Sequence, residues 1–206
     1  MINRRTFTLA AALLAWPALG LAQDSPVDQL ISSLHEGGYV LVVRHAHAPD
    51  AAPQAAETDK ANTQHERQLD AAGRRQAAAL GAGLKAQHIP VGQVLSSPAY
   101  RALQTVTLAG LPAPRTFTTL GDVGTSPKAI TNANAAFLKI VALTRPKANS
   151  DTIVVTQQPN IFATFGDIAA SMQEGDALVF KPDGGSTPNI VGRIRISDWT
   201  AARLGR

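Results

Sequence analysis

The chain has 206 residues, 45% of them hydrophobic and 17% charged, with a formal charge of +4. That apolar share suffices to bury one core and excludes a disordered chain. The absence of cysteine excludes disulfides, thiolate metal sites and a cysteine nucleophile. Lys and Arg are nowhere clustered with interleaved aromatics, so no nucleic-acid surface is expected.

Arg4-Arg5 precedes the apolar run Phe7 to Leu21, which Pro17 interrupts and which ends in small residues at Ala22. This pattern reads as an export signal, twin-arginine-like in its paired arginines, over residues 1–22 and cleaved after Ala22. The run is too short to cross a bilayer comfortably, so no integral membrane segment is expected in the mature protein. Its removal takes away two arginines and no acid, lowering the formal charge from +4 to +2. Residues 23–206 are then one domain, acting in the periplasm or otherwise outside the cytoplasm.

Val27 to His35 reads as a helix ended by Gly37-Gly38. Tyr39 to Val43 is a continuous aliphatic and β-branched run, the composition of a strand buried on both faces. Residues 46–68 are polar without a period and read as a long loop, with room for a short helical turn. Leu69 to Gln87 is a helix with Asp70 as its N-cap, Val91 to Ser96 a second buried strand, and Pro98 to Leu108 a helix. An irregular stretch marked by Pro112, Pro114 and Pro127 follows, then a helix over Ile130 to Leu143. Thr152 to Thr156 is a strand, Ile161 to Met172 a helix, and Ala177 to Lys181 and Ile190 to Ile196 two strands forming a hairpin edge. The alternation predicts an α/β three-layer sandwich with a mainly parallel sheet flanked by helices.

Ligands of such sheets lie outside the carboxyl ends of the strands. Three of those ends carry Arg44-His45, Ser96-Ser97 shortly before Arg101, and Thr156-Gln157. A neutral imidazole attacks phosphorus and guanidinium forks hold its oxygens, so the Arg-His pair suits phosphoryl transfer. A structural histidine is the usual alternative for such a pair standing alone.

Val42-Val43-Arg44-His45-Ala46 resembles the Arg-His-Gly or Arg-His-Ala signature of the histidine phosphatase superfamily, also called phosphoglycerate mutase-like. Arg67-Gln68-Leu69-Asp70 with Gly73-Arg74 is similar to the segment that opens the first long helix in small bacterial members. Ser96-Ser97-Pro98, followed by Arg101 and Thr105, resembles the family's Ser-Ser-Pro-x-x-Arg-x-x-x-Thr block. Thr156-Gln157-Gln158-Pro159-Asn160-Ile161 resembles a late block that normally reads Thr-His-Gln-Pro-Asn-Ile. Together the matches run from about residue 38 to 195.

The resemblance implies a phosphomonoesterase in which His45 accepts the phosphoryl group, Arg44 and Arg101 clamp its oxygens, and water hydrolyses the phosphohistidine. Arg67 is either a third guanidinium or a solvated charge; Arg74 is read as solvated. Gln157 stands where the family has a second histidine: it has an amide to offer phosphate but no positive charge, and losing one preorganised donor costs roughly 10²–10³ in rate. The alternative function is therefore a catalytically weakened phosphate-pocket binding protein. Two carboxylates are candidates for the proton donor, Asp122 after the second helix and Glu174 after the Ile161 to Met172 helix.

His47 lies two residues past His45, either inside the pocket or solvated, while His35, His65 and His88 are read as surface residues. No metal-ligand spacing is present, and neither metal nor organic cofactor is expected. The substrate is expected to be phosphorylated, a small molecule or an envelope component, and the sequence carries no signal for an oligomer.

Overall fold

The computed structural model describes residues 25–122 and 126–201. The export signal expected over 1–22 lies outside the described residues.

Helix α1 spans Pro26–Ser33 and a single 3₁₀ turn, Leu34–Glu36, leads from it to strand β1, Val40–Arg44. The other elements are α2 (Ala71–Ala86), β2 (Val91–Ser96), α3 (Tyr100–Leu108), β3 (Arg115–Thr116), α4 (Lys128–Leu143) and β4 (Asp151–Thr156). They are followed by α5 (Gln158–Phe165), α6 (Asp167–Ala170), β5 (Ala177–Phe180), β6 (Ile190–Ile194) and α7 (Ile196–Ala201). The six strands form one sheet in the order β3-β2-β4-β1-β5-β6. Strands β3, β2, β4 and β1 run parallel, and β5 and β6 add an antiparallel hairpin at one edge. The α/β sandwich and its hairpin edge are those the sequence predicts.

The unbroken apolar run of β1 has a physical reason. Alternate side chains of a strand point to opposite faces, and both faces are covered. Leu41 and Val43 join Leu80 and Leu84 of α2, Val106 of α3 and Trp199 of α7 in one core layer. Val40 and Val42 join Leu138 of α4, Ile161 of α5 and Met172 in the other. Among the described residues no helix is long and apolar enough to cross a membrane.

Three details depart from the sequence reading. The helix expected over Ile161 to Met172 begins earlier, at Gln158, and is split into α5 and α6. The split falls at Gly166, whose φ of 64° ends the α-helical run and whose N–H closes back on the Phe162 carbonyl; only glycine takes that conformation cheaply. The two-residue strand β3 and the short helix α7 are too brief to show a period. Yet α7 delivers Trp199, fully buried, onto Gly83, where an added Cβ would lie 2.9 Å from the Trp199 side chain.

Candidate active site

The parallel register brings three chain crossings to one sheet edge. Arg44 pairs with Thr156, and Ser96 with Val155; one step beyond, His45 N–H donates to the Thr156 carbonyl (3.0 Å) and Ser97 N–H to the Val155 carbonyl (2.9 Å). The loops carrying His45, Ser97 and Gln157 therefore leave the sheet side by side.

The His45 ring is 4% exposed and its tautomer is set from both sides. Nδ1 lies 2.8 Å from the Ala46 carbonyl, which only accepts, while Nε2 lies 3.1 Å from Nε of Arg101, which only donates. Nδ1 therefore carries the proton and Nε2 the lone pair. Burial, followed by the charges of Arg101, Arg44 and Arg67, lowers the pKa of His45 to about 3, against the opposing pull of the Ala46 carbonyl. A neutral imidazole with its unprotonated nitrogen turned towards a guanidinium is the result.

Thr105 ties this loop to α3: its hydroxyl accepts from Ala46 N–H (3.0 Å) and donates to the Arg101 carbonyl (2.8 Å). Arg101, in the first turn of α3 and 6% exposed, bridges His45 to Asp122, with Nη2 3.0 Å from Oδ2 of the carboxylate. Arg44 is anchored along one edge, Nη1 donating to the Met172 carbonyl (2.8 Å) and Nη2 lying 3.5 Å from Oε1 of Glu174. Its Nε is buried and has no hydrogen-bond partner among the described residues. Arg67 braces the first loop, donating from Nε to the Pro49 carbonyl and from Nη2 to the Ala48 carbonyl, both at 2.6 Å. Its charge is felt at both His45 and Arg101.

Gln157 is fully buried and its amide is committed to protein. In the orientation that satisfies both ends, Oε1 accepts from the Ser97 hydroxyl (2.7 Å) while Nε2 donates to the carbonyls of Leu120 (2.7 Å) and Gly121 (3.3 Å). The side chain clips β4 to β2 and to the segment before Asp122. The two candidate acids are separated in the same way: Asp122 stands on Arg101 and Glu174 on Arg44.

His47 is turned to Asp70 and Glu174, with ring nitrogens at 3.1 and 3.8 Å from their carboxylate oxygens. His35, His65 and His88 are exposed. Arg74 holds Asp59 of the long loop (2.8 Å), where Gln104 and the Tyr100 hydroxyl also donate. That knot, with buried Asn62 bonded to both the amide and the carbonyl of Glu66, orders a loop whose sequence shows no period. Asp59 went unread in the sequence because its partners Arg74, Tyr100 and Gln104 lie on other elements, and Asn62 because its partner Glu66 lies in a loop without a period. Thr105 had a signal, its place in the Ser-Ser-Pro block.

Residues 40–120 match the family model described as histidine phosphatase superfamily, branch 1. The chain's fold is shared with the protein histidine phosphatase SixA complexed with tungstate, at 18% identity and a TM-score of 0.56 over 78% of this chain and 98% of that one. It is also shared with a putative phosphohistidine phosphatase SixA from Nakamurella multipartitia, at 23% identity and a TM-score of 0.54 over 77% and 95% of the two chains. A mutant phosphoserine phosphatase from Entamoeba histolytica in complex with phosphoserine aligns at 12% identity, with a TM-score of 0.54 over 78% and 98%. These likenesses show a common fold. No curated protein matches the chain.

Proposed function

We propose that this chain is a histidine phosphatase that hydrolyses a phosphomonoester through a phosphohistidine on His45, exported by its N-terminal signal and acting on a small or envelope-associated substrate. The observation that carries the reading is the contact from Arg101 Nε to His45 Nε2, 3.1 Å long: a neutral nucleophile whose lone pair faces the group that holds phosphate oxygens. Three proteins that share the fold, two SixA histidine or phosphohistidine phosphatases and one phosphoserine phosphatase, support a phosphatase reading.

An arriving phosphoryl group takes over the Arg101 N–H, which frees the His45 lone pair to attack phosphorus. The unpartnered Nε of Arg44 supplies a second donor to its oxygens. As the N–P bond forms and the ester P–O bond breaks, protonated Asp122 gives its proton to the leaving oxygen. Asp122 takes a proton back from the water that releases inorganic phosphate, and His45 returns to its neutral form. Asp122 is preferred to Glu174 because it stands on the arginine that touches the nucleophile, whereas Glu174 is shared between Arg44 and His47.

The second reading, a phosphate-pocket protein with weakened turnover, is favoured by Gln157, whose amide donates to the Leu120 and Gly121 carbonyls and not towards the phosphate clamp. The test is phosphate release from an aryl phosphate by the chain from Gln23 onward, beside His45→Ala and Gln157→His. The phosphatase reading expects wild-type turnover that His45→Ala abolishes. An inert wild type that gains turnover with Gln157→His would establish the second reading instead.

A further inference from the structure

Two residues after the nucleophile, the backbone of His47 is pinned by α2. Its N–H donates to Oε1 of Gln76 (2.8 Å), and its carbonyl comes so near Gly73 that a Cβ there would lie 2.0 Å from it. The ring is thereby set between two carboxylates from distant parts of the chain. Nδ1 is 3.1 Å from Oδ1 of Asp70, the N-cap of α2, and Nε2 is 3.8 Å from Oε2 of Glu174. The other oxygen of Glu174 lies 3.5 Å from Nη2 of Arg44. A line of alternating charge thus runs from the cap of α2 to the guanidinium beside the nucleophile.

Both contacts are charge contacts, so a ring that carries both protons attracts the two carboxylates while a neutral ring attracts neither. Asp70 is ionised under most conditions, since the Gly73 amide, with help from His47, holds its carboxyl below the usual range. Two acids of the same loop are paired elsewhere: Asp50 lies 3.1 Å from Arg67, and Asp59 2.8 Å from Arg74. A neutral His47 has no charge with which to hold Glu174. Glu174, left without an imidazolium, turns its charge on Arg44.

We propose that His47 is a positioning residue that sets, through Glu174, how freely Arg44 is available to phosphate. Protonated His47 shares Glu174 and leaves Arg44 open; neutral His47 releases Glu174 to compete with phosphate for the guanidinium. Affinity for the phosphoryl group therefore weakens when His47 gives up its proton, with little change in the chemical step. The inference rests on the phosphatase reading for the identity of the ligand, and its test does not require turnover.

The ring is half-exposed, where ion pairs contribute about 0.2–1 kcal/mol, so the expected change is about twofold to fivefold. The measurement is KM and kcat against pH for wild type, His47→Gln and Glu174→Gln, with the dissociation constant of inorganic phosphate measured on the same three proteins. The phosphate ligand's own ionisation contributes equally to all three, so the difference between them isolates the device. Expected is an alkaline rise in wild-type KM and in the phosphate dissociation constant that both variants flatten, with kcat moving in parallel in all three. A rise of the same size in His47→Gln, or an effect confined to kcat, overturns the proposal. If no protein turns over, the phosphatase reading fails separately, and the phosphate dissociation constants still decide for or against His47.

Discussion

Each end of the sheet buries an ionisable group held far from its ordinary pKa, and the same force acts on both with opposite results. At the carboxyl end, burial and three guanidinium charges lower His45 to about 3. At the amino end, burial raises Asp151, which is fully buried, to about 6, against the pull of the Tyr39 amide and of Lys181. Desolvation favours the neutral form of either group. In His45 that form carries the free lone pair of Nε2, and the cations gathered around it reinforce neutrality; in the proposed phosphatase reading it is the nucleophile. Asp151 has one backbone amide on Oδ1 (2.8 Å) and no partner on Oδ2 among the described residues; its neutral form joins β4 to the start of β1 and has no chemistry in view. A perturbed group marks a site only when its surroundings are complementary to something absent from the chain itself.

The linkage has opposite signs at the two ends. Between pH 6.5 and about 3 the unfolded chain takes up a proton that native His45 refuses, so His45 costs stability as pH falls, up to about 5 kcal/mol. Asp151 keeps its proton in the native state up to about pH 6, whereas the unfolded chain releases it near 3.8. Its contribution is present in acid and is lost as pH rises through that interval, by about 3 kcal/mol. From pH 4 to 6 the two slopes oppose each other.

The strongest way to break the contrast is Arg101→Ala, which removes the guanidinium at the carboxyl end. We expect kcat/KM to fall by roughly 10²–10³, with the ring still largely neutral because burial is the first cause of its shift. Retained activity in steady-state assays would mean that the arginine only fills space. A smaller and more selective effect is expected of Asp122→Asn. Hydrolysis of an alkyl phosphate should slow by about 10²-fold, because its leaving oxygen needs a proton, and that of a nitrophenyl phosphate far less. An equal loss on both substrates would return the acid role to Glu174. Asp151→Asn leaves the reaction untouched and acts on stability alone: it keeps an acceptor for the Tyr39 amide and removes the titration. Thermal melts should show the variant gaining on wild type from pH 4 to pH 7.5, and a difference independent of pH would sink the assignment of that slope to Asp151.

Much of the frame was legible in one sequence. The apolar run Tyr39 to Val43 announced a strand covered on both faces, Asp70 caps α2 by accepting from the Gly73 amide (2.8 Å), and the three strand ends chosen as candidates do meet at one edge. The break at Gly166 was not legible because a single glycine inside a helical period is compatible with a continuous helix. Trp199 was not, because six helical residues carry too little periodicity to name the face that buries it.

Local order in this chain follows from nearest-neighbour physics: side-chain periodicity, capping and branched-residue preference set which segments become strands and helices and where Arg44-His45 falls along one of them. Which groups face that pair was decided only by tertiary structure. The partner of Arg101 is Asp122 rather than Glu174, the amide of Gln157 is spent on Ser97 and two carbonyls, and His47 lies between carboxylates of residues 70 and 174. Those distances arise from the order of strands in the sheet and the packing of α2 and α3 on it, because an interaction that fades within a few ångströms is blind to separation along the chain.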